Sequence, residues 1–434
     1  MSEALARAAH TLARAAYTLA LWLATPLYFA RLWWRGRQEP RYRQYWGERL
    51  GRSKAPPSPG RLWLHAVSLG ETNAAAPLIE ALRAQRPGLR LLLTHGTATG
   101  REAGVKLLRD GDAQAWLPYD TPGAVRRFLR TQRPCAGVLM ETEVWPNLLH
   151  AAQAAGVPVV LANARLSQRS ADKGRRLAAL MHPALARFTQ VLAQTAVDAE
   201  RLRASGARSV QVMGNLKFDL TPDAALLARG REWRQTLGRP VVLAASTREG
   251  EEGPLLRAWC ALALEQEPAP LLLLVPRHPQ RFDEVAAGMV AAGLVLARRS
   301  HWGSAPAPEA AVADAWLGDS LGEMALYYAM ADCALLGGSF APLGGQNLIE
   351  AAACGCPLVM GPHTFNFALA AELSLVAGAS ERADDLQAAV QCALRLATEP
   401  AAAAAMASRA LAFAAQHRGA AGRMAAAVLT LPGC

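Results

Sequence analysis

GDSLGEMALYYAMADCALLGGSFAPLGGQNLIEAAACGCPLVMGP, residues Gly318–Pro362, holds two short apolar runs, Ala331–Leu336 and Pro357–Met360. Each run ends in glycine. Between them lie Gly337-Gly338 and Gly344-Gly345, which let backbone come close to a ligand. A helical pattern opens at Asn347 and stops at Gly355. Strand, glycine-rich turn, helix and strand in succession make up one turn of a parallel α/β sheet. Asn347 opens a helix whose N-terminus can face a phosphate, and Glu350 in its first turn can accept hydroxyls from a ribose.

The same alternation extends upstream through Leu294–Ala297, Leu271–Val275 and Val241–Ala245. It is interrupted at 214–239 by Gly214, Pro222, Gly230 and Gly238. Before that break it runs through Leu62–Val67, Leu91–Thr94, Gly137–Met140, Val157–Ala162, Val191–Ala193 and Val210–Met213. The restart predicts two doubly wound domains facing a cleft, with ligands at the carboxyl ends of the strands. No GxGxxG follows the first strand and no GxxxxGK[ST] occurs, so a dinucleotide oxidoreductase and a P-loop enzyme are both disfavoured. The Ala-rich tail, 400–428, reads as helix.

Hydrophobic residues make up 52% and charged residues 19%, a globular balance that excludes a disordered chain. The net charge of +11 suits polyanions. Residues 31–54 carry eight Lys/Arg against Glu39 and Glu48, without the interleaved aromatic motifs of RNA binding, so lipid phosphate ranks above nucleic acid. Ala15–Ala30 is uncharged, and Trp33, Trp34, Arg35 and Arg37 beyond it resemble an interfacial belt. The segment 1–37 is therefore expected to be a membrane anchor, either a span or a helix lying in the interface. Ser53–Gly60 reads as a Pro-rich linker. The seven cysteines form no CxxC pair and read as reduced core thiols.

Several polar motifs fall at strand ends. His65–Thr72 (HAVSLGET) places Glu71 where it can act as general base or as a first-turn acid on the helix dipole. Glu141 and Glu143 follow Gly137–Met140. Lys217 sits in GNLKFD near the domain join, where a lysine can neutralise phosphate or carboxylate. Ser246, Thr247 and the amides after them can cradle a phosphate, while Glu249, Glu251 and Glu252 suit helix capping. Arg277 and His278 close Leu271–Val275. Asp110-Gly111-Asp112 is a literal DxD, but it reads as a polar turn and not as a metal site.

In order along the chain, RLWWRGR, YRQYWGERLG, HAVSLGE, LPYD, ETEVWPNLL, ANARLSQRS, GNLKFD, STREGEE, VPRHPQRF, GGQNLIEAA and GPHTFNF closely resemble the bacterial Kdo (3-deoxy-D-manno-octulosonic acid) transferases of glycosyltransferase family 30. The resemblance implies a GT-B fold. In that fold, 38–222 would hold the lipid A precursor and 223–434 would hold CMP-Kdo. It implies inverting transfer of Kdo onto lipid IV(A) in lipopolysaccharide synthesis, without cofactor or metal, on the cytoplasmic face of the inner membrane. It implies Glu71 as general base, with Glu141 and Lys217 stabilising the transition state. It assigns Pro276, Arg277, Gly322, Glu323, Met324, Asn347, Leu348, Ile349 and Glu350 to the donor nucleotide. Many relatives read HGGHN where this chain has LGGQN (Leu343–Asn347), which leaves no histidine there. Another GT-B sugar-nucleotide transferase or an epimerase is the alternative enzyme, and a membrane-binding scaffold the alternative of another class.

Overall fold

The computed structural model describes residues 3–52, 59–263 and 266–433. Most of the expected Pro-rich linker, 53–58, lies outside the described residues. The chain forms two compact units, one of residues 1–219 with 418–434 and one of residues 220–417.

In the first unit seven strands form one parallel sheet: β1 (Leu62–His65), β2 (Leu91–His95), β3 (Ala113–Trp116), β4 (Ala136–Met140), β5 (Val159–Ala164), β6 (Gln190–Ala193) and β7 (Val210–Val212). Every residue of β1, β2, β4 and β5 is buried, because helices cover both faces of the sheet. Leu62 and Leu64 pack on one face with Leu78, Ile79 and Leu82 of the Leu69–Gln85 helix. Trp63 packs on the other face with Phe128 and Leu139. The spatial order is β3-β2-β1-β4-β5-β6-β7. The chain steps outward from β1, then returns to its opposite side, so the loops leaving β1 and β4 diverge and open a crevice at their carboxyl ends.

The expected separate anchor differs from what is found. Its helix, Glu3–Arg35, is docked on the first unit. The Tyr17 hydroxyl donates to Asp120 at 3.0 Å, Asn147 Nδ2 donates to the Thr18 hydroxyl at 2.9 Å, and the Phe29 ring meets Trp46 and Tyr119. Among the described residues no helix is long and apolar enough to cross a membrane. The outer face nonetheless exposes Leu5, Leu12, Leu19, Leu23, Leu27 and Trp34, whose spacing puts them on one stripe.

The second unit repeats the plan with β8 (Val241–Thr247), β9 (Leu271–Pro276), β10 (Leu296–Arg298), β11 (Ala315–Leu317), β12 (Cys333–Leu336), β13 (Leu358–Met360) and β14 (Ser380–Arg382). All are parallel, in the order β10-β11-β9-β8-β12-β13-β14, so the reversal falls between β8 and β12. The alanine-rich tail is two helices, Pro400–Gln416 and Ala420–Leu429, parted at Gly419 (φ 92°). Residues 418–434, expected in the C-terminal domain, belong to the first unit. Ala420, Met424, Ala425 and Val428 complete the core around Leu62 and Leu78. The Asp219 carboxylate accepts the N–H groups of Gly419 and Ala421 and fixes the start of this last helix. Five of the cysteines are free, but Cys135 is disulfide-bonded, contrary to the expectation of reduced thiols.

Candidate active site

The crevice of the first unit is built by the loops after β1, β4 and β5. Ser68 caps the Leu69–Gln85 helix by accepting the Glu71 N–H, and the Glu71 carboxylate reaches back to the Val67 N–H at 2.8 Å. Glu71 is thus a first-turn acid by geometry, yet its surroundings change its chemistry. Burial pushes its carboxyl up to about 7, the Val67 N–H opposes this, and the charges of Glu143 and Glu141 add to the rise. A carboxyl titrating there serves as a base at neutral pH.

Glu141 is buried at the end of β4 with φ 54°, a left-handed conformation rare outside glycine. Its carboxylate accepts Arg165 Nε at 2.8 Å. Asn163, at the end of β5, shares the same unusual region at φ 52°, and its Oδ1 accepts the Leu216 N–H at 3.1 Å. That bond positions the turn carrying Lys217. Burial lowers the Lys217 ammonium, while Glu141 and Glu71 pull it back up. Glu71, Glu141 and Lys217, far apart in sequence, therefore share one electrostatic neighbourhood. Strained backbone is thus gathered at the ends of the adjacent strands β4 and β5, as it often is at functional sites. His65, fully buried, has its Nε2 3.6 Å from Glu143, which also accepts the Trp145 indole N–H at 2.8 Å.

In the second unit the crevice lies between the loops after β8 and β12. Ser246 takes φ 58° there. A Cβ on Gly337 would fall 2.2 Å from the Ser246 carbonyl oxygen, so only glycine fits. The phosphate cradle expected after β8 is already filled. Glu251, 2% exposed, accepts N–H groups from Arg248 (2.9 Å), Gly338 (2.7 Å), Phe340 (3.0 Å) and Ala341 (3.3 Å). An internal carboxylate thus holds the amides that would otherwise attract a phosphate.

Pro276 ends β9 and Arg277 extends from it, exposed. Asn347 caps the Leu348–Cys354 helix by accepting the Ile349 N–H. Leu348 and Ile349 are buried in its first turn. Glu350 beside them has its carboxyl raised by burial and lowered by Arg277, and no hydrogen bond among the described residues engages it. Gly322 (φ 83°), Glu323 and Met324 form the turn into the Met324–Met330 helix. Glu323 turns its carboxylate to Arg229 (2.7 Å) and Arg299 (2.9 Å). Burial raises that carboxyl, but Ser320 and the two arginines outweigh it and hold it below its ordinary range. Its side chain fixes the turn.

Of the two DxD acids, Asp110 is exposed and only the Asp112 side chain is turned inward. Asp112 is buried and takes the Leu91 and Arg109 N–H groups and the Arg83 guanidinium. Arg165, Asn163 and Glu251 were not singled out as site residues from sequence. For the first two the signal was available, a polar side chain closing a buried strand, as at Glu141.

Residues 44–220 match the family described as 3-deoxy-D-manno-octulosonic-acid transferase (kdotransferase). A 3-deoxy-D-manno-octulosonic acid transferase of Bordetella pertussis is 50% identical over 91% of this chain and 94% of its own. The crystal structure of the C-terminal CMP-Kdo binding domain of WaaA from Acinetobacter baumannii is 32% identical, covering 44% of this chain and 98% of that one, at a TM-score of 0.41. Anabaena Alr3699/HepE in complex with UDP is 17% identical, with a TM-score of 0.58 over 85% of this chain and 99% of its own, a likeness of fold alone. With half of its residues identical along nearly the whole of a curated relative, the chain belongs to the 3-deoxy-D-manno-octulosonic acid transferases, a family of glycosyltransferases.

Proposed function

We propose that the chain moves Kdo from CMP-Kdo to a lipid A precursor, with inversion, on the cytoplasmic face of the bacterial inner membrane. The observation that carries this reading is Glu71 at the carboxyl end of β1, titrating at about 7 beside Glu141 and Lys217. Glu71 takes the proton of the acceptor hydroxyl. The oxygen attacks C2 of Kdo as the bond from C2 to the phosphate oxygen breaks, and CMP leaves with that electron pair. Positive charge grows at C2 in the transition state, where the Glu141 carboxylate favours it. Lys217 meets the negative charge of the Kdo carboxylate or the phosphate. In the donor unit Arg277 faces the departing phosphate and Glu350 accepts ribose hydroxyls. The backbone of Gly322–Met324 and Asn347–Ile349 cradles the nucleotide behind Pro276. The exposed leucine stripe lies in the lipid interface, with Arg37 on anionic headgroups.

The test is transfer of radiolabelled Kdo from freshly made CMP-Kdo to a tetra-acylated lipid A precursor with EDTA present. The wild type gives product. Glu71→Gln loses at least ~100-fold in rate and still binds CMP. A Glu71→Gln protein that transfers at the wild-type rate removes the base, and protection of the fold by UDP but not by CMP favours the epimerase-like alternative.

A further inference from the structure

Beside the Glu71 loop, within the first unit, lies a cavity of about 270 Å³ to which the sequence reading gave no role. Arg31, Arg35, Arg49, Tyr28, Tyr119 and His65 are among its walls, and no acidic residue is. Arg49 is the unusual member. Its side chain is 4% exposed. One nitrogen donates to the Gly96 carbonyl at 2.9 Å, and the guanidinium stacks 4.2 Å from the Trp116 ring centroid. Among the described residues no carboxylate pairs with it. Its buried neighbour Arg101, by contrast, is held by Glu48 at 2.7 Å. The Tyr119 hydroxyl, also on the cavity wall, is buried without a hydrogen-bond partner. A buried cation lacking a counter-ion, next to an unused hydroxyl donor, is costly unless something anionic completes the pair. Arg31 and Arg35 add charge at the mouth, Arg35 sharing its own with Glu39 at 3.2 Å.

We propose that this cavity binds a phosphate ester, held by Arg49 and Tyr119 with Arg31 and Arg35 at its rim, and that the ester is a sugar phosphate of the acceptor. Val67 supplies both the cavity wall and the N–H that holds the Glu71 carboxylate. A phosphate bound here belongs to the molecule whose hydroxyl meets Glu71. The anion site stands on its own geometry; naming the acceptor as its source rests on the proposed function.

The experiment is titration calorimetry on the full chain in detergent. The probes are a glucosamine disaccharide bisphosphate without acyl chains and the same disaccharide without phosphates. Wild type binds the phosphorylated sugar at least ~10-fold more tightly, about 1.4 kcal/mol. Arg49→Met abolishes most of that preference and leaves CMP affinity unchanged. Arg31→Met/Arg35→Met, at exposed positions, reduces it in the same direction and keeps the test decisive if the buried variant fails to fold. A parallel arm measures sedimentation with phosphatidylglycerol vesicles. Loss of vesicle binding alone in Arg49→Met keeps the anion site and makes a lipid headgroup its ligand. Equal binding of both disaccharides by wild type, with vesicle binding untouched by Arg49→Met, overturns the proposal. Neither arm requires turnover, so failure of the transfer reaction reads out separately.

Discussion

At the residue scale, Glu71 caps a helix and has its carboxyl raised to about 7, so capping and the proposed base role, alternatives in the sequence, are compatible in one side chain. A base must be ionised, so kcat/KM should climb about tenfold per pH unit below about 7 and level above it; a flat profile across that window counts against the role. Stability runs the other way. The folded chain prefers the protonated carboxyl, so that contribution is full below the ordinary 4.5 and is lost as pH rises through about 7. Glu71→Gln should therefore melt higher than wild type at pH 8 and match it at pH 4. Glu251 gives a second expectation. Glu251→Ala strands four backbone N–H groups, and because each buried orphan costs about 1–3 kcal/mol, we expect a loss of at least ~4 kcal/mol in the second unit and weaker CMP binding. Unchanged melting would remove its positioning role. Glu71 and Glu141 stand out in the sequence as ionisable groups at the ends of apolar runs, whereas Lys217, in the Leu216–Asp219 turn, is singled out by the family resemblance. Glu251 was read as a capping acid because the three loop amides it holds, at Gly338, Phe340 and Ala341, lie 87 to 90 residues away, beyond any local pattern. Asn163 and Glu141 owe their aim to a positive φ, which side-chain type does not announce.

At the scale of elements, buried parallel strands write themselves as apolar runs, so eleven strands were readable as such. The missed ones, β3, β11 and β14, are three or four residues long. Two of them are sheet edges, where less burial is required and the apolar signal fades. The N-terminal helix shows the opposite difficulty. Its uncharged stretch matched an anchor, but its length and its docking through Tyr17, Thr18 and Phe29 depend on tertiary partners at Asp120, Asn147 and Tyr119. Its exposed stripe yields a direct expectation. Leu19→Glu with Leu23→Glu, both on the outer face, should lower partition onto anionic vesicles about tenfold or more and leave CMP binding intact. Sedimentation with phosphatidylglycerol vesicles measures this, and equal partition excludes that face as the lipid contact.

At the scale of the whole molecule, the first unit is assembled from both ends of the chain. Met424 and Val428 of the last helix are fully buried in its core, and the Asp219 carboxylate holds the helix start. Each such side chain is worth ~1.5–3 kcal/mol, so losing the helix should cost about 5 kcal/mol, much of a domain's whole stability. A chain ending at His417 should therefore show a native second unit, with CMP binding retained, and a first unit that melts early or not cooperatively; differential scanning calorimetry separates the two transitions. A first unit with wild-type melting in that truncation would mean that the helix is dispensable. The arrangement also sets an order of events on the ribosome. Residues 220–417 emerge as one uninterrupted stretch and can fold as soon as they clear the exit tunnel. The half synthesised first must wait for residues 418–434, which follow the whole of the second unit, so it is completed only after that unit has emerged. A chain released before residue 418 then carries an unfinished first unit, exposed to proteases, and a finished second one.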